Sequence, residues 1–222
     1  MNIAIDGPAG AGKSSIAKLV AERLSFIYID TGAMYRTMAL YFMNRGINTK
    51  DQMLVESRCE EIDIQIHYEN GEQQIFLNGE NVSVEIREEQ VGNEASVVAS
   101  YGKVREKLVA LQRSMAASSD VIMDGRDIGT VVLPDADVKI YLTASSAVRA
   151  ERRYKELTEK GAVCDLKKIE EDIKIRDYQD MNREISPLKQ AEDAVLVDSS
   201  DMTIDQVIEE IISIVEKKRS NG

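Results

Sequence analysis

At the usual ~150 residues per domain, 222 residues predict one domain carrying an insertion rather than two equal domains. The balance of 43% hydrophobic and 30% charged residues, with 13 Gly and 3 Pro, excludes collagen-like, low-complexity and disordered classes. A formal charge of −11 would repel a phosphate backbone over most of the surface. It argues against a nucleic-acid partner and requires that any anionic ligand be gripped by a local cluster of cations.

No segment approaches the ~18 uninterrupted apolar residues of a membrane span, and the opening Met1-Asn2-Ile3-Ala4-Ile5-Asp6 lacks a basic region followed by a long apolar stretch. A cytoplasmic protein with no membrane partner is expected. Cys59 and Cys164 have neither the spacing nor the histidine partners of a metal site, since His67 is the single histidine. Catalysis by a Ser-His or Cys-His pair would have to be built on that one strand residue and is disfavoured.

Asn2 to Asp6 reads as a short buried strand running into a glycine-rich loop, after which Ile16, Leu19, Val20 and Leu24 recur at helical spacing. Further strand-like runs are Phe26 to Ile29, Val121 to Met123, Val138 to Leu142 and Ala194 to Val197, separated by helical pattern or loop. The expected class is α/β, with a parallel five-stranded sheet flanked by helices. The long interval between the second and third runs exceeds a simple crossover and predicts an insertion. Within it Ile62, Ile64 and Ile66 alternate with polar residues, Glu69-Asn70-Gly71 signals a turn, and Ile75-Phe76-Leu77 leads into Asn78-Gly79, together a small antiparallel sheet. Val104, Leu108, Leu111 and Met115 then form a helical stripe. At the far end Thr203 and Gln206 form a capping box ahead of an amphipathic helix carrying Ile204, Val207, Ile208, Ile211, Ile212 and Val215.

Gly7-Pro8-Ala9-Gly10-Ala11-Gly12-Lys13-Ser14 matches the phosphate-binding loop G-x-x-x-x-G-K-[ST], in the strand-to-helix setting that the motif requires. Glycines turn backbone N–H groups inward around a polyphosphate, and the helix N-terminus adds positive potential. A lysine, here Lys13, reaches the outer phosphates, and a hydroxyl, here Ser14, coordinates Mg²⁺. A P-loop leaves a switch GTPase, an ATPase motor and a small-molecule kinase open. The chain has no Asn-Lys-x-Asp segment, which weakens the switch.

Three clusters that pair Arg with Asp or hydroxyl residues favour a second anionic ligand facing the first. They are Asp30-Thr31-Gly32-Ala33-Met34-Tyr35-Arg36 and Asp124-Gly125-Arg126-Asp127, each at a strand end where ligands collect, and a helix over roughly 167–184. On that helix Ile169, Ile173, Arg176, Asp180 and Arg183 share one face, so a core stripe changes midway into Arg, Asp and Arg. Either Asp124 or Asp127 could approach the metal. Arg149, Arg152 and Arg153 share a face of the preceding helix, which Gly161 should end. That face reads either as a mobile arginine lid over the donor phosphates or as a solvated salt-bridge surface with Glu151 and Glu156.

The stretches GPAGAGKSS (7–15), DTGAMYR (30–36), NEASVVASYGKVRE (93–106), DGRDIGTVVLPDA (124–136) and IKIRDYQDMNR (173–183) together closely resemble the bacterial cytidylate kinases of the nucleoside monophosphate kinase family. The resemblance implies a single P-loop kinase domain with a monophosphate-binding insertion at about 35–117 and a lid at about 149–163. It implies transfer of the ATP γ-phosphoryl group to CMP or dCMP, with Mg²⁺. The donor would be held by Gly7 to Ser15 and by Arg149, Arg152 and Arg153. By the same resemblance Thr31, Ser96, Arg105 and Asp127 surround the cytosine, Tyr35, Arg176 and Asp180 reach the ribose, and Arg36, Arg126 and Arg183 hold the acceptor phosphate. Relatives often carry Ser at position 31 and Thr at position 15, and each exchange keeps a hydroxyl. Lys13 and the arginines would neutralise charge in transfer. With no heptad seam, a monomer is expected.

Overall fold

The computed structural model describes residues 1–69 and 72–220. In chain order its elements are β1 (Asn2–Asp6), α1 (Lys13–Leu24), β2 (Ile27–Asp30), α2 (Thr31–Asn44), α3 (Gln52–Arg58), β3 (Ile64–Glu69), β4 (Glu72–Leu77) and β5 (Glu80–Asn81). There follow α4 (Glu89–Val98), α5 (Gly102–Ser118), β6 (Val121–Gly125), β7 (Val138–Thr143), α6 (Ser146–Glu159), α7 (Leu166–Asn182), β8 (Val195–Asp198) and α8 (Ile204–Ser220). The chain divides into two compact units, residues 1–28 with 119–222, and residues 29–118.

In the first unit the strand order is β2-β6-β1-β7-β8. The pairs β1–β6, β1–β7 and β7–β8 are parallel. Strands β1, β6 and β7 are buried along most of their length, which is why they read as unbroken apolar runs, while the edge strand β8 leaves Val195 and Leu196 exposed. Ile3, Ile5, Ile122, Ile140 and Leu142 form one core with Ile16, Val20, Val207, Ile211 and Val215 of α1 and α8. The capping box closes as its spacing predicts: Thr203 N donates to Gln206 Oε1 at 2.8 Å and Gln206 N to Thr203 Oγ1 at 3.2 Å. Ile204 stays exposed, on the first turn of α8.

In the second unit β3, β4 and β5 form a three-stranded antiparallel sheet. Asn70 and Gly71, the centre of the expected turn, lie outside the described residues. Ile62 is buried ahead of β3 rather than in it. The core is built around α2, whose Met34, Met38, Tyr41 and Phe42 are fully buried. The stripe on α5 differs from the expectation. Val104 and Leu108 are buried, but Leu111 and Met115 are half-buried, and Arg105, Gln112 and Ala116 take the inner positions. Polar side chains turned inward rotate the buried face, which a count of apolar residues cannot register.

Candidate functional site

The phosphate loop is built by backbone before any side chain acts. Gly7, Gly10 and Gly12 all have positive φ, a region that side-chain-bearing residues rarely enter. A Cβ at Gly7 would also lie 1.9 Å from the Leu142 carbonyl oxygen of β7, so the loop can leave β1 only as glycine. Gly12 stands at the N-cap of α1 with no side-chain cap, which leaves N–H donors at the helix start for an anion.

Lys13 opens α1, is 5% exposed, and donates from Nζ to Pro8 O at 2.8 Å. Burial pushes its ammonium down to about 7 and the Arg126 charge adds to that, against Asp124, Asp6 and Asp180. Ser14 Oγ donates to Asp124 Oδ2 at 2.8 Å, and Tyr28 Oη donates to Asp124 Oδ1 at 2.8 Å. Of the two candidate aspartates, Asp124 on β6 and Asp127 just after it, Asp124 is the one joined to the Ser14 hydroxyl. Tyr28, which no motif marked, orients it across strands. Ser15 is exposed in the first turn of α1.

Beyond Gly125 the chain enters a π-helical turn, Ile128–Val132. Its first two N–H groups donate to Asp6 at the end of β1, Ile128 N to Oδ1 at 2.8 Å and Gly129 N to Oδ2 at 2.7 Å. Burial pushes the Asp6 carboxyl up to about 6, against those two hydrogen bonds. Because the folded state then holds a proton that the unfolded state has released, wild type should lose stability relative to Asp6→Asn as pH rises from about 4 to about 6. Urea titrations across that window would check this; a gap moving the other way would show that the backbone donors outweigh burial.

The second and third clusters meet in this unit. Arg126 Nε donates to Asp180 Oδ2 at 2.8 Å, and Arg183 Nη2 to Asp127 Oδ1 at 3.4 Å. Burial pushes the Asp180 carboxyl up, but Arg126, with Arg176 and Arg183, outweighs it and holds the group below the ordinary range. Arg183 Nε also donates to Ser186 O at 2.5 Å. Arg176 and Asp180 share a face of α7 as the spacing predicts, but Ile169 and Ile173 are half-buried rather than core, and Arg183 lies just past the helix end in extended backbone rather than on that face.

The three α6 arginines do not act alike. Arg149 is 4% exposed and donates from Nη1 to Ala9 O in the phosphate loop at 2.8 Å. Arg152 is tied to Ser199, with Nη2 on its carbonyl at 2.7 Å. Arg153 pairs with Glu156 at the surface, the salt-bridge alternative that the sequence left open.

In the second unit Asp30 caps α2, accepting from Ala33 N at 2.8 Å on Oδ1 and from Arg36 Nη2 at 2.8 Å on Oδ2. A Cβ at Gly32 would stand 3.0 Å from Arg36 Nη1 and 3.2 Å from Asp30 Oδ1, so a larger residue there would press on that ion pair. Thr31 is buried at the first helical position, and Arg105 lies over the Tyr35 ring at 5.6 Å while donating to Ala99 O. Ser96 faces Gly92 O within α4. Gln73 of β4, absent from every motif, accepts from Asp30 N at 2.9 Å. Its Nε2 and Arg36 Nε are buried donors with no partner, the condition of a site awaiting acceptor atoms.

The family profile of cytidylate kinase matches residues 3–217. The cytidylate kinase of Lactobacillus johnsonii is 50% identical over 221 residues, covering 100% of this chain and 96% of the relative. That of Caldicellulosiruptor saccharolyticus is 48% identical over 221 residues, covering 100% and 98%. A gluconokinase structure from Sinorhizobium meliloti superposes with a TM-score of 0.51 at 14% identity, covering 99% of this chain and 94% of that one, which bears on fold alone. No helix among the described residues is long and apolar enough to cross a membrane. The α/β fold with its phosphate loop and arginine–aspartate clusters, matched almost end to end by these relatives, places the chain in the cytidylate kinase family.

Proposed function

We propose that this protein transfers the γ-phosphoryl group of ATP to CMP or dCMP, giving ADP and CDP or dCDP. The observation that carries the reading is a cluster of arginines paired with aspartates, Arg126 and Arg183 with Asp180 and Asp127, in the same unit as the phosphate loop. Arg126 and Asp180 are close enough to Lys13 for their charges to shift its proton affinity. A kinase needs a grip on a second phosphate, which such arginines can supply.

Glycine-shaped backbone and the start of α1 receive the donor's phosphates, and Lys13 leaves Pro8 O for their outer oxygens. Ser14 and Asp124 fit Mg²⁺, which takes few protein ligands beside substrate phosphates and water; when bound, the ion draws charge from the β- and γ-oxygens. The attacking oxygen belongs to a phosphate already ionised near neutral pH, so no strong base is needed. Positioning and charge neutralisation by Lys13, Arg36, Arg126 and Arg183 suffice. Thr31, Ser96, Arg105 and Asp127 are assigned to the cytosine, and Tyr35, Arg176 and Asp180 to the ribose. The buried donors of Arg36 and Gln73 support an acceptor beside α2. We read residues 29–118 as the acceptor-binding insertion, and α6 with the turn after it as the lid. With no heptad seam in the chain, we read it as a monomer acting on its substrates in the cytoplasm.

ADP release from Mg·ATP, measured with CMP, dCMP, UMP, AMP and GMP one at a time, tests the proposal. Strong turnover confined to CMP and dCMP is expected. Preference for AMP or UMP would reassign the acceptor, and equal slow hydrolysis with every acceptor and with none would return the chain to the switch class.

A further inference from the structure

Arg149 has its guanidinium committed on three sides. Nε donates to Ala144 O at 2.9 Å, Nη1 to Ala9 O at 2.8 Å, and the fork meets Asp177 of α7 with Nη1–Oδ1 at 3.1 Å and Nη2–Oδ2 at 2.5 Å. Its stem passes over the loop, where a Cβ at Gly10 would touch Arg149 Cβ at 3.6 Å. The ion pair is largely out of water, with side-chain exposures of 5% for Arg149 and 15% for Asp177. A planar fork held by two carboxylate oxygens cannot rotate without breaking both bonds.

We infer that Asp177 is a positioning residue for the donor: through Arg149 it holds the Ala9 carbonyl and so keeps the phosphate loop open in its receiving shape. Resting on the kinase reading, this deepens it by giving α7 two jobs. At about 100° per residue, Arg176 and Asp180 lie about 40° apart, while Asp177 points about 60–100° away from them. The neighbours of Asp177 serve the acceptor, and Asp177 serves ATP. Arg149 is then a fixed strap on the loop, at the root of the lid in the first turn of α6, rather than a finger that swings in with the rest of it. Asp177 carried no mark in the sequence beyond standing in an acidic and basic helix. Its meaning comes from the Arg149 fork, 28 residues away in the chain.

The test is Asp177→Asn, which keeps shape but removes the charge and one of the two acceptor oxygens. Affinity for a non-hydrolysable ATP analogue, measured by calorimetry without any acceptor, is expected to fall about tenfold. Affinity for CMP alone should stay within about twofold, and in turnover the KM for ATP should rise far more than that for CMP. Asp177→Glu, which restores the charge, should recover most of the loss. Arg149→Lys, which can reach Asp177 or Ala9 O but not both, should reproduce the split and serves if Asp177→Asn does not fold. Unchanged analogue affinity, or equal losses for both nucleotides, would overturn the inference. Because analogue binding needs no acceptor, a wild type inactive on CMP would sink the kinase reading while leaving the strap to be judged separately.

Discussion

Replacing Lys13 with alanine is expected to lower turnover with ATP and CMP by on the order of 10²–10³-fold, the range seen when one preorganised charge-stabilising donor is removed. Lys13 is buried at the loop with its ammonium pushed down to about 7. Burying that cation is a burden on the free fold: the folded state sheds the proton at lower pH than the unfolded chain does. The penalty is full below pH 7 and fades as pH rises from about 7 towards 10.5, the ordinary lysine value. Lys13→Ala should therefore fold, and wild type should gain stability relative to it over that interval. Nucleotide reverses the situation, since phosphate oxygens favour the charged amine. At pH 8 the free fold holds Lys13 largely deprotonated, and binding of ATP should be accompanied by net proton uptake. Calorimetry in two buffers of different ionisation enthalpy would read this uptake. Its presence in Lys13→Ala, or activity within tenfold of wild type, would remove Lys13 from the role assigned to it.

Arg126→Ala should lower kcat/KM for CMP by roughly 10²–10⁴-fold, while the KM for ATP moves by less than about threefold. Truncating one partner of a desolvated charge pair costs about 2–5 kcal/mol, much of it from the partner left behind. Here that partner is Asp180, joined to Arg126 Nε at 2.8 Å and 13% exposed. Without Arg126 the Asp180 carboxyl loses the first of the charges that outweigh its burial, and its pKa rises. Arg126 also depresses the Lys13 ammonium, so the variant should take up less proton with ATP at pH 8 than wild type. The double variant Arg126→Ala/Asp180→Asn separates the two contributions: if the loss came from stranding the Asp180 charge, removing that charge while keeping an acceptor for the ribose would restore part of the activity. A kcat/KM for CMP within tenfold of wild type would take Arg126 out of the acceptor grip.

The residues that sequence placed well are those whose chemistry is local. The phosphate loop is legible because glycine, lysine and serine must stand at fixed offsets on one strand-to-helix turn, and the capping box of Thr203 and Gln206 because both partners lie within one turn. The face of α7 carrying Arg176 and Asp180 follows from helical periodicity. Residues that act across the chain were not legible. Tyr28 and Gln73 look like ordinary strand residues until each is seen to bond an aspartate of another element. Asp6 passed as the end of a strand, yet it caps a π turn more than a hundred residues later. Gln112 and Arg105 occupy buried positions on α5 that hydrophobic spacing assigned elsewhere.

By itself, then, the amino-acid sequence determined the fold class and the nucleotide loop, and marked the arginines and aspartates that pair beside it, because each rests on spacing within one element or on glycine at positions where backbone geometry admits nothing larger. Only the tertiary structure decided that Asp124 rather than Asp127 meets the Ser14 hydroxyl, and that the three α6 arginines part ways, one strapped to the loop, one tied to Ser199 and one left in a surface pair. Those choices depend on which strand lies beside which and which helix crosses which, and a hydrogen bond forms only where folding brings donor and acceptor within about 3 Å, however far apart they stand in the chain.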